Sequence, residues 1–329
     1  MRRLVLLLCA LFATHLLAAP RVIKIGLVTD TGKINDKTFN QTSYEGMMAA
    51  AKKYSDANVE IKTSYIETAQ PTDFSKNIDL FVNQDYDLVI TVGFMLGDAT
   101  KEAAIKYKNK KTKFIIVDYA YTPKLDNVLG LVFAEDQAGF LAGSLAAQMT
   151  KTGVVGIVCG KEIPPVVKFR KGFTSGAQYI NKNVKVLGVY IDSFSDPARG
   201  KAAALSQIAE KADVIYGAGG PTGSGAIKAS IEKGHYGIGV DIDEYYTTFG
   251  GKKTPGLLSS TLKRTGSAVS GAIGLFVKGK FAGGIYSGTV ANDSIGLAPY
   301  HDAPVPEKVK AQMEDIKNKL KKGEIKTGA

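Results

Sequence analysis

Short apolar segments alternate along this chain with longer segments in which apolar residues recur every three or four positions. The short segments are typical of strands buried in a parallel sheet, and the longer ones of helices that cover it. A first set predicts strands at 22–29, 59–66, 88–92, 113–117 and 128–133, with helices at 42–54, 73–83 and 96–107. A second set predicts strands at 154–159, 184–191, 214–218 and 236–240, with helices at 166–180, 198–211 and 223–233. The pattern predicts an α/β fold with two doubly wound, mostly parallel sheets.

The order of elements changes after residue 241. It predicts a strand at 257–262, a helix at 265–277, strands within 286–297 and a C-terminal helix at 306–322. A helix at 137–149 leads from the first set to the second, so we expect several crossings between two lobes, which make a hinge and a cleft. We expect one lobe to comprise 20–135 with about 258–280, and the other 136–257 with about 281–329.

The N-terminal residues resemble a secretory signal. Arg2 begins a positive segment, 4–17 is apolar, and Ala19 supplies a small residue before Pro20. The alternative is a membrane anchor, but the apolar run is shorter than the roughly 20 residues that span a bilayer. We therefore expect a cleaved signal peptide at 1–19 and an exported protein. Cys9 follows leucines rather than a small residue, which does not favour a lipid-anchored form.

Composition narrows the class of protein. The 329 residues are 45% apolar and 22% charged, which indicates a globular chain long enough for two lobes. The net charge is +11, but the lysines of 308–326 are interspersed with acidic residues. That pattern favours a solvated helix, and we expect no nucleic-acid partner. Cys159 lies in an apolar run, which predicts a buried structural thiol.

Ligands of open parallel sheets bind beyond the carboxyl ends of the strands. The residues at those positions are rich in acids, aromatics and glycines: Asp30, Gly93, Phe94, Asp118, Gly160, Asp192, Phe194, 219–223 and Asp241. Carboxylates accept hydrogen bonds, aromatic rings stack against bases, and glycines let a ligand approach the backbone. Acidic residues at these positions also serve as helix caps and turn formers, so the pattern is consistent with ligand binding and with a purely structural role. Phe39, flanked by polar residues, is either a ligand contact or a hydrophobic staple.

A series of motifs in order along the chain resembles the basic-membrane-protein family of substrate-binding proteins of ABC importers, which includes a spirochaete purine nucleoside receptor. The motifs in the first half are 29–32 (Thr-Asp-Thr-Gly), 35–41 (Asn-Asp-Lys-Thr-Phe-Asn-Gln), 44–46 (Tyr-Glu-Gly) and 140–143 (Phe-Leu-Ala-Gly). Those in the second half are 169–173 (Phe-Arg-Lys-Gly-Phe), 193–197 (Ser-Phe-Ser-Asp-Pro), 219–225 (Gly-Gly-Pro-Thr-Gly-Ser-Gly), 238–241 (Ile-Gly-Val-Asp) and 259–264 (Ser-Ser-Thr-Leu-Lys-Arg). The resemblance implies the type I periplasmic-binding-protein fold.

The resemblance also implies roles for individual residues. Phe39 and Phe194 would stack on the two faces of a base, while Asp118 and Asn40 would bond to its edges. The ribose hydroxyls would be held by Asp30, Asp241 and Lys263. With the strand-end residues, the candidate site comprises Asp30, Phe39, Asn40, Phe94, Asp118, Phe194, Gly220, Asp241 and Lys263.

The expected function is capture of a nucleoside, with purine favoured, by a non-enzymatic periplasmic monomer. Its partner would be an ABC-transporter permease in the inner membrane, and we expect neither a cofactor nor a metal. The missing lipid-anchor cysteine departs from the family and favours a free protein in a two-membrane bacterium. A ligand-sensing surface protein with the same fold remains an alternative.

A dinucleotide-dependent oxidoreductase is the alternative from another class. Residues 217–223 contain glycines after a predicted strand, and Asp241 ends the next strand. Their spacing is Gly-x-Gly-x-x-x-Gly rather than the standard one. Residues 274–280 resemble a P-loop, but Phe281 stands where Ser or Thr is needed. Neither His235 nor His301 stands in a metal-ligand spacing, and a hydrolase nucleophile motif is missing.

Overall fold

The computed structural model describes residues 19–328, so all but the last residue of the expected signal peptide lies outside the described residues. The strands are β1 Arg21–Val28, β2 Val59–Ile66, β3 Leu88–Val92, β4 Lys113–Val117, β5 Val128–Phe133, β6 Val154–Cys159, β7 Lys185–Tyr190, β8 Val214–Ala218, β9 Tyr236–Gly239, β10 Leu257–Lys263, β11 Gly284–Gly288 and β12 Ile295–Leu297. The helices are α1 Phe39–Tyr54, α2 Phe74–Asn83, α3 Gly97–Lys106, α4 Glu135–Met149, α5 Pro164–Ile180, α6 Pro197–Ala209, α7 Gly220–Glu232, α8 Glu244–Thr247, α9 Thr265–Val277 and α10 Glu307–Lys321.

Two six-stranded sheets form the centres of two lobes. The first sheet has the order β11-β5-β4-β3-β1-β2, and all its strands are parallel. The second has the order β12-β10-β9-β8-β6-β7, and only its edge strand β12 is antiparallel. Every residue of β3 and of β8 is buried, as expected for central strands covered by helices on both faces. The predicted α/β fold with two doubly wound lobes is confirmed.

The chain passes between the lobes three times, but the division of its last third differs from the expected one. We expected 258–280 in the first lobe and the strands after 281 in the second. Instead, β10 lies beside β9 in the second sheet, and β11 joins β5 in the first sheet. Helix α9 packs on α1 in the first lobe and β12 pairs with β10 in the second, as expected. The physical reason is strand pairing: an apolar run predicts a buried strand but does not specify its neighbour.

Helix α4 belongs to the second lobe, although it follows the last strand of the first unit. It packs along α5 and against β10 and β12. At Gly143 and Gly176 the two helices are so close that a Cβ atom would overlap the opposite backbone, at Phe173 and Phe140 respectively. Because glycine has no side chain at these two positions, α4 packs against α5 of the second lobe with direct backbone contact.

The fold buries the cysteine of β6 and contains helices of moderate length. Cys159 is fully buried, which confirms the structural thiol, and burial raises its pKa to about 12. Within residues 19–328, none of the helices has the length and apolar character needed to cross a membrane.

Candidate functional site

A cavity of about 560 Å³ lies between the lobes, where the carboxyl ends of the strands of both sheets meet. Such crevices are the usual ligand sites of open α/β sheets. The structure brings all nine candidate residues to its wall: Asp30, Phe39, Asn40, Phe94, Asp118, Phe194, Gly220, Asp241 and Lys263. They come from widely separated segments, and the turns after the strands place them together.

Asp30 and Asn40 form a buried hydrogen-bonded pair in the first lobe. Asp30 Oδ1 accepts from the backbone N–H of Gly32 at 2.8 Å and from Asn40 Nδ2 at 3.0 Å. Asn40 Nδ2 also donates to Asp36 Oδ2 at 3.0 Å, and because both partners are carboxylates, the amide nitrogen must face them. Asn40 Oδ1 is left buried without a partner. Burial raises the pKa of Asp30 to about 6, against the hydrogen bonds from Gly32 and Asn40.

Asp118 directly follows β4 in the first lobe, and Asp241 lies two residues after the end of β9 in the second lobe. Their φ angles of 66° and 67° place both in the left-handed region, which aspartate tolerates better than most residues. Each keeps a buried Oδ1 atom without a hydrogen-bond partner. Burial raises the pKa of Asp118 to about 6 and that of Asp241 to about 7, although the Lys263 ammonium opposes both shifts. Both residues line the cavity, and each has a carboxyl oxygen without a partner among the described residues.

Lys263, the last residue of β10, links the two lobes. Its Nζ atom lies 2.6 Å from Asp118 Oδ2 and 2.9 Å from Glu135 Oε1, and its side chain is 2% exposed. Burial lowers the pKa of Lys263, but the carboxylates, led by Asp118 and Glu135, outweigh it and raise the pKa above its ordinary range. The same ammonium lies 5.2 Å from the ring centroid of Phe39. Lys263 is therefore charged, and its ammonium group lies beside the face of the Phe39 ring.

Aromatic rings approach the cavity from each lobe. Phe39 is the first residue of α1, and Phe194 lies in the loop between β7 and α6. Both are half-buried, pack partly against the core and line the cavity. Phe39 is the first residue of the helix rather than the residue before its cap, so it does not hold the position of a hydrophobic staple. The Phe194 ring lies directly on Gly160, and Phe94 packs against Tyr119 with 5.1 Å between centroids.

The glycine-rich turn is explained by packing. A Cβ atom at Gly217 would overlap the backbone of Gly223, so these two glycines let α7 lie close against β8. Gly220 has a φ of 58° and lies near Thr38 of the opposite lobe. The glycine spacing that suggested a dinucleotide site thus serves helix–strand packing and the approach of the lobes.

Two residues of the site, Phe169 and Glu135, were not predicted as site residues from the sequence. Phe169 on α5 lines the cavity, and its ring centroid lies 5.8 Å from Lys263 Nζ. Glu135 begins α4 two residues after β5 and contacts Lys263 from behind the wall. The rule of searching beyond strand ends, applied to β5 as well, would have found Glu135; Phe169 gave no comparable signal because it lies within a helix.

Comparison with known proteins assigns the chain to a family. A family model described as "ABC transporter substrate-binding protein PnrA-like" (Bmp) matches residues 23–328. The "ABC transporter nucleoside-binding protein BmpA" of Lactococcus lactis is 34% identical over 276 residues, covering 80% of this chain and 77% of the relative. "Basic membrane protein A" of Borreliella burgdorferi is 31% identical over 251 residues, covering 75% and 70%.

A solved structure agrees with this assignment. The solute-binding protein of an ABC transporter system from Aeropyrum pernix K1 has a TM-score of 0.79 and 25% identity, with 92% of each chain covered. The likeness extends through both lobes, as does the match to the family model. The chain belongs to the Bmp family of PnrA-like ABC transporter substrate-binding proteins.

Proposed function

We propose that this protein binds a nucleoside, preferentially a purine nucleoside, between its lobes and delivers it to an ABC importer. The observation that carries the proposal is one cavity that combines a half-buried phenylalanine from each lobe with buried acceptor atoms that have no partner. Phe39 and Phe194 offer flat apolar faces to a base, and stacking on such a face contributes about 1–3 kcal/mol per base.

The polar atoms of the cavity call for a ligand that donates hydrogen bonds. The unpartnered acceptors are Oδ1 of Asn40, Oδ1 of Asp118 and Oδ1 of Asp241. Leaving a buried acceptor unpaired costs about 1–3 kcal/mol, which a ligand donor would recover. Ribose hydroxyls and the N–H groups of a base supply such donors, and the cavity volume of about 560 Å³ suits a small molecule. We assign base edges to Asn40 and Asp118, and the ribose to Asp30, Asp241 and Lys263.

Binding between two lobes provides the signal that a transporter needs. A base stacked on Phe39 in an open protein gains the Phe194 face only on closure, so the ligand shifts the balance toward the closed form. Gly220 and Phe94 complete the wall on either side. The name of the Lactococcus lactis relative supports a nucleoside ligand. We also propose that the mature protein acts as a monomer in the periplasm, and the signal-like residues 1–19 support its export.

Calorimetry tests the ligand. We expect purine nucleosides to bind most tightly, pyrimidine nucleosides more weakly, and amino acids or free sugars not at all. Chromatography of the recovered ligand should show unchanged nucleoside, since the proposal includes no turnover. A clear preference for sugars or amino acids, without a nucleoside response, would refute the proposal.

Uptake measurements test delivery. Cells that lack this protein should accumulate labelled nucleoside more slowly than cells that carry it. Normal uptake together with a lost transcriptional response to nucleoside would instead support the sensing alternative.

A further inference from the structure

Glu135 is a buried carboxylate that contacts the ligand site only through another residue. Its side chain is 1% exposed, and it stands behind the cavity wall rather than on it. Its two oxygens have separate partners: Oε1 lies 2.9 Å from Lys263 Nζ, and Oε2 lies 3.3 Å from Lys168 Nζ. Lys168 in turn donates to the carbonyl oxygen of Phe133 at 3.4 Å. A carboxylate this deeply buried requires such compensation, because isolation from water is costly.

The three charged residues of this chain of contacts belong to one lobe. Glu135 begins α4, Lys168 lies on α5 and Lys263 ends β10, and α4 packs directly on both of the other elements. Asp118, the remaining partner of Lys263, follows β4 in the opposite lobe. If the lobes open as rigid bodies, Lys263 would move away from Asp118 and keep its contact with Glu135, which lies in the same lobe.

We infer that Glu135 is a positioning residue that holds the Lys263 ammonium in its ligand-binding orientation in both open and closed forms. The inference rests on the proposed function. The Lys263 ammonium has three N–H donors and donates a hydrogen bond to Asp118, while Glu135 Oε1 lies 2.9 Å away as an ion-pair partner. Lys263 also lines the cavity, so its ammonium is close to a bound ligand. Without Glu135, Lys263 would lose the ion-pair partner that lies in its own lobe. The ligand would then have to order its flexible side chain, which costs binding free energy.

Glu135→Gln tests this role, because glutamine keeps the size of the side chain and removes its charge. We expect nucleoside affinity to fall about tenfold or more, because the variant removes a close, buried ion pair that orders Lys263. Burial raises the pKa of Asp118, the Lys263 ammonium lowers it, and Glu135 raises it by less than Lys263 lowers it. Lys168 and Asp241 are the other charged groups that act on Asp118. If Lys263 loses its position in Glu135→Gln, the pKa of Asp118 should rise and the acid limb of the affinity–pH profile should move to higher pH. A shift to lower pH would show that Glu135 acts only through its own charge, and it would overturn the inference.

Glu244→Gln is the matched control. Glu244 is a fully buried glutamate of the same lobe, but it bonds to Ser224, Thr248 and the Val240 backbone rather than to a lysine. This variant should lower the melting temperature and leave the position of the acid limb unchanged. The inference is overturned if Glu135→Gln and wild type give superimposable affinity–pH profiles, or if both glutamate variants shift the limb equally.

A ligand-free measurement separates this inference from the proposed function. Nitrogen-15 NMR of lysine ammonium groups, with Lys263→Met for assignment, should show a slowly exchanging Lys263 signal in wild type. The signal should broaden or vanish in Glu135→Gln and persist in Glu244→Gln. An unchanged Lys263 signal in Glu135→Gln overturns the positioning role. If wild type binds no nucleoside, the proposed function fails while the NMR result still decides the role of Glu135.

Discussion

Gly160 offers a way to disturb the aromatic site without removing an aromatic ring. The Phe194 ring lies so close that a methyl group at position 160 would overlap its Cδ1 and Cε1 atoms. Gly160→Ala therefore obliges the ring to move by roughly 1 Å to restore ordinary carbon–carbon contact. The backbone itself need not change, since Gly160 is not among the glycines with positive φ.

The expected loss of affinity follows from that displacement. A radial gap near 1 Å forfeits about half of a van der Waals well. Applied to a stacking contribution of about 1–3 kcal/mol, this gives about 0.5–1.5 kcal/mol, or roughly a 2- to 12-fold loss of nucleoside affinity. Calorimetry on Gly160→Ala measures this loss, and the melting temperature of the ligand-free protein reports any damage to the fold.

The decisive measurement is the same substitution in a Phe194→Ala background. There the new methyl group meets no ring and keeps only a 3.3 Å contact with Gly219 Cα, so it should cause little further loss, and the two changes should be strongly non-additive. Gly271→Ala on α9 is the control, because a Cβ atom at that position has nothing within 4 Å and should leave affinity unchanged. If Gly160→Ala weakened binding equally with and without the Phe194 ring, the assignment of Phe194 as a stacking face would be wrong.

Three further predictions concern the same cavity. Phe39→Ala and Phe194→Ala should each weaken nucleoside binding by about 1–3 kcal/mol, or roughly 5- to 150-fold in affinity measured by calorimetry. The double variant should lose less than the sum of the two single losses. Unchanged affinity in both single variants would exclude a two-sided stack. If Lys263 and Asp241 recognise the ribose, a free purine base should bind much more weakly than its nucleoside, and equal affinities would contradict the assignment. Because burial raises the pKa of Asp118 to about 6 and that of Asp241 to about 7, the folded protein retains protons that the unfolded chain releases above about pH 4. The contribution of these two protonated groups to the free energy of unfolding is therefore lost as pH rises through about 6–7. Nucleoside affinity should increase over the same pH range. Melting curves and calorimetry across pH would show these opposite trends, and parallel trends would contradict this account.

Much of the secondary structure could be predicted from the sequence because apolar periodicity is a local property. The strands β2 to β6 and β8 begin and end at the predicted residues, and α9 does as well. The other boundaries differ mainly at helix starts, as at α1, which begins at Phe39 rather than at Thr42. Helix ends depend on turns and caps, and these are set partly by contacts with other segments.

The candidate site could also be located, because the carboxyl ends of parallel strands share one edge of each sheet. Asp30, Asp118 and Asp241 follow strands that are visible in the sequence, and the structure places them on one cavity wall. Their individual states could not be predicted. Whether a carboxylate oxygen bonds to Gly32, pairs with Lys263 or stays without a partner depends on neighbours far away in the chain.

Local sequence patterns were enough to predict the alternation of strands and helices, the two-lobed class and the strand-end chemistry, because these depend on residues near one another in the chain. The position of β10 in the second sheet and of β11 in the first became known only from the packed structure, because strand partners lie far apart in sequence. The place of Glu135 also became known only from the packed structure, because its partners Lys168 and Lys263 are separated from it by 33 and 128 positions along the chain. Burial and pairing arise only when such distant segments pack together, and no local pattern encodes them.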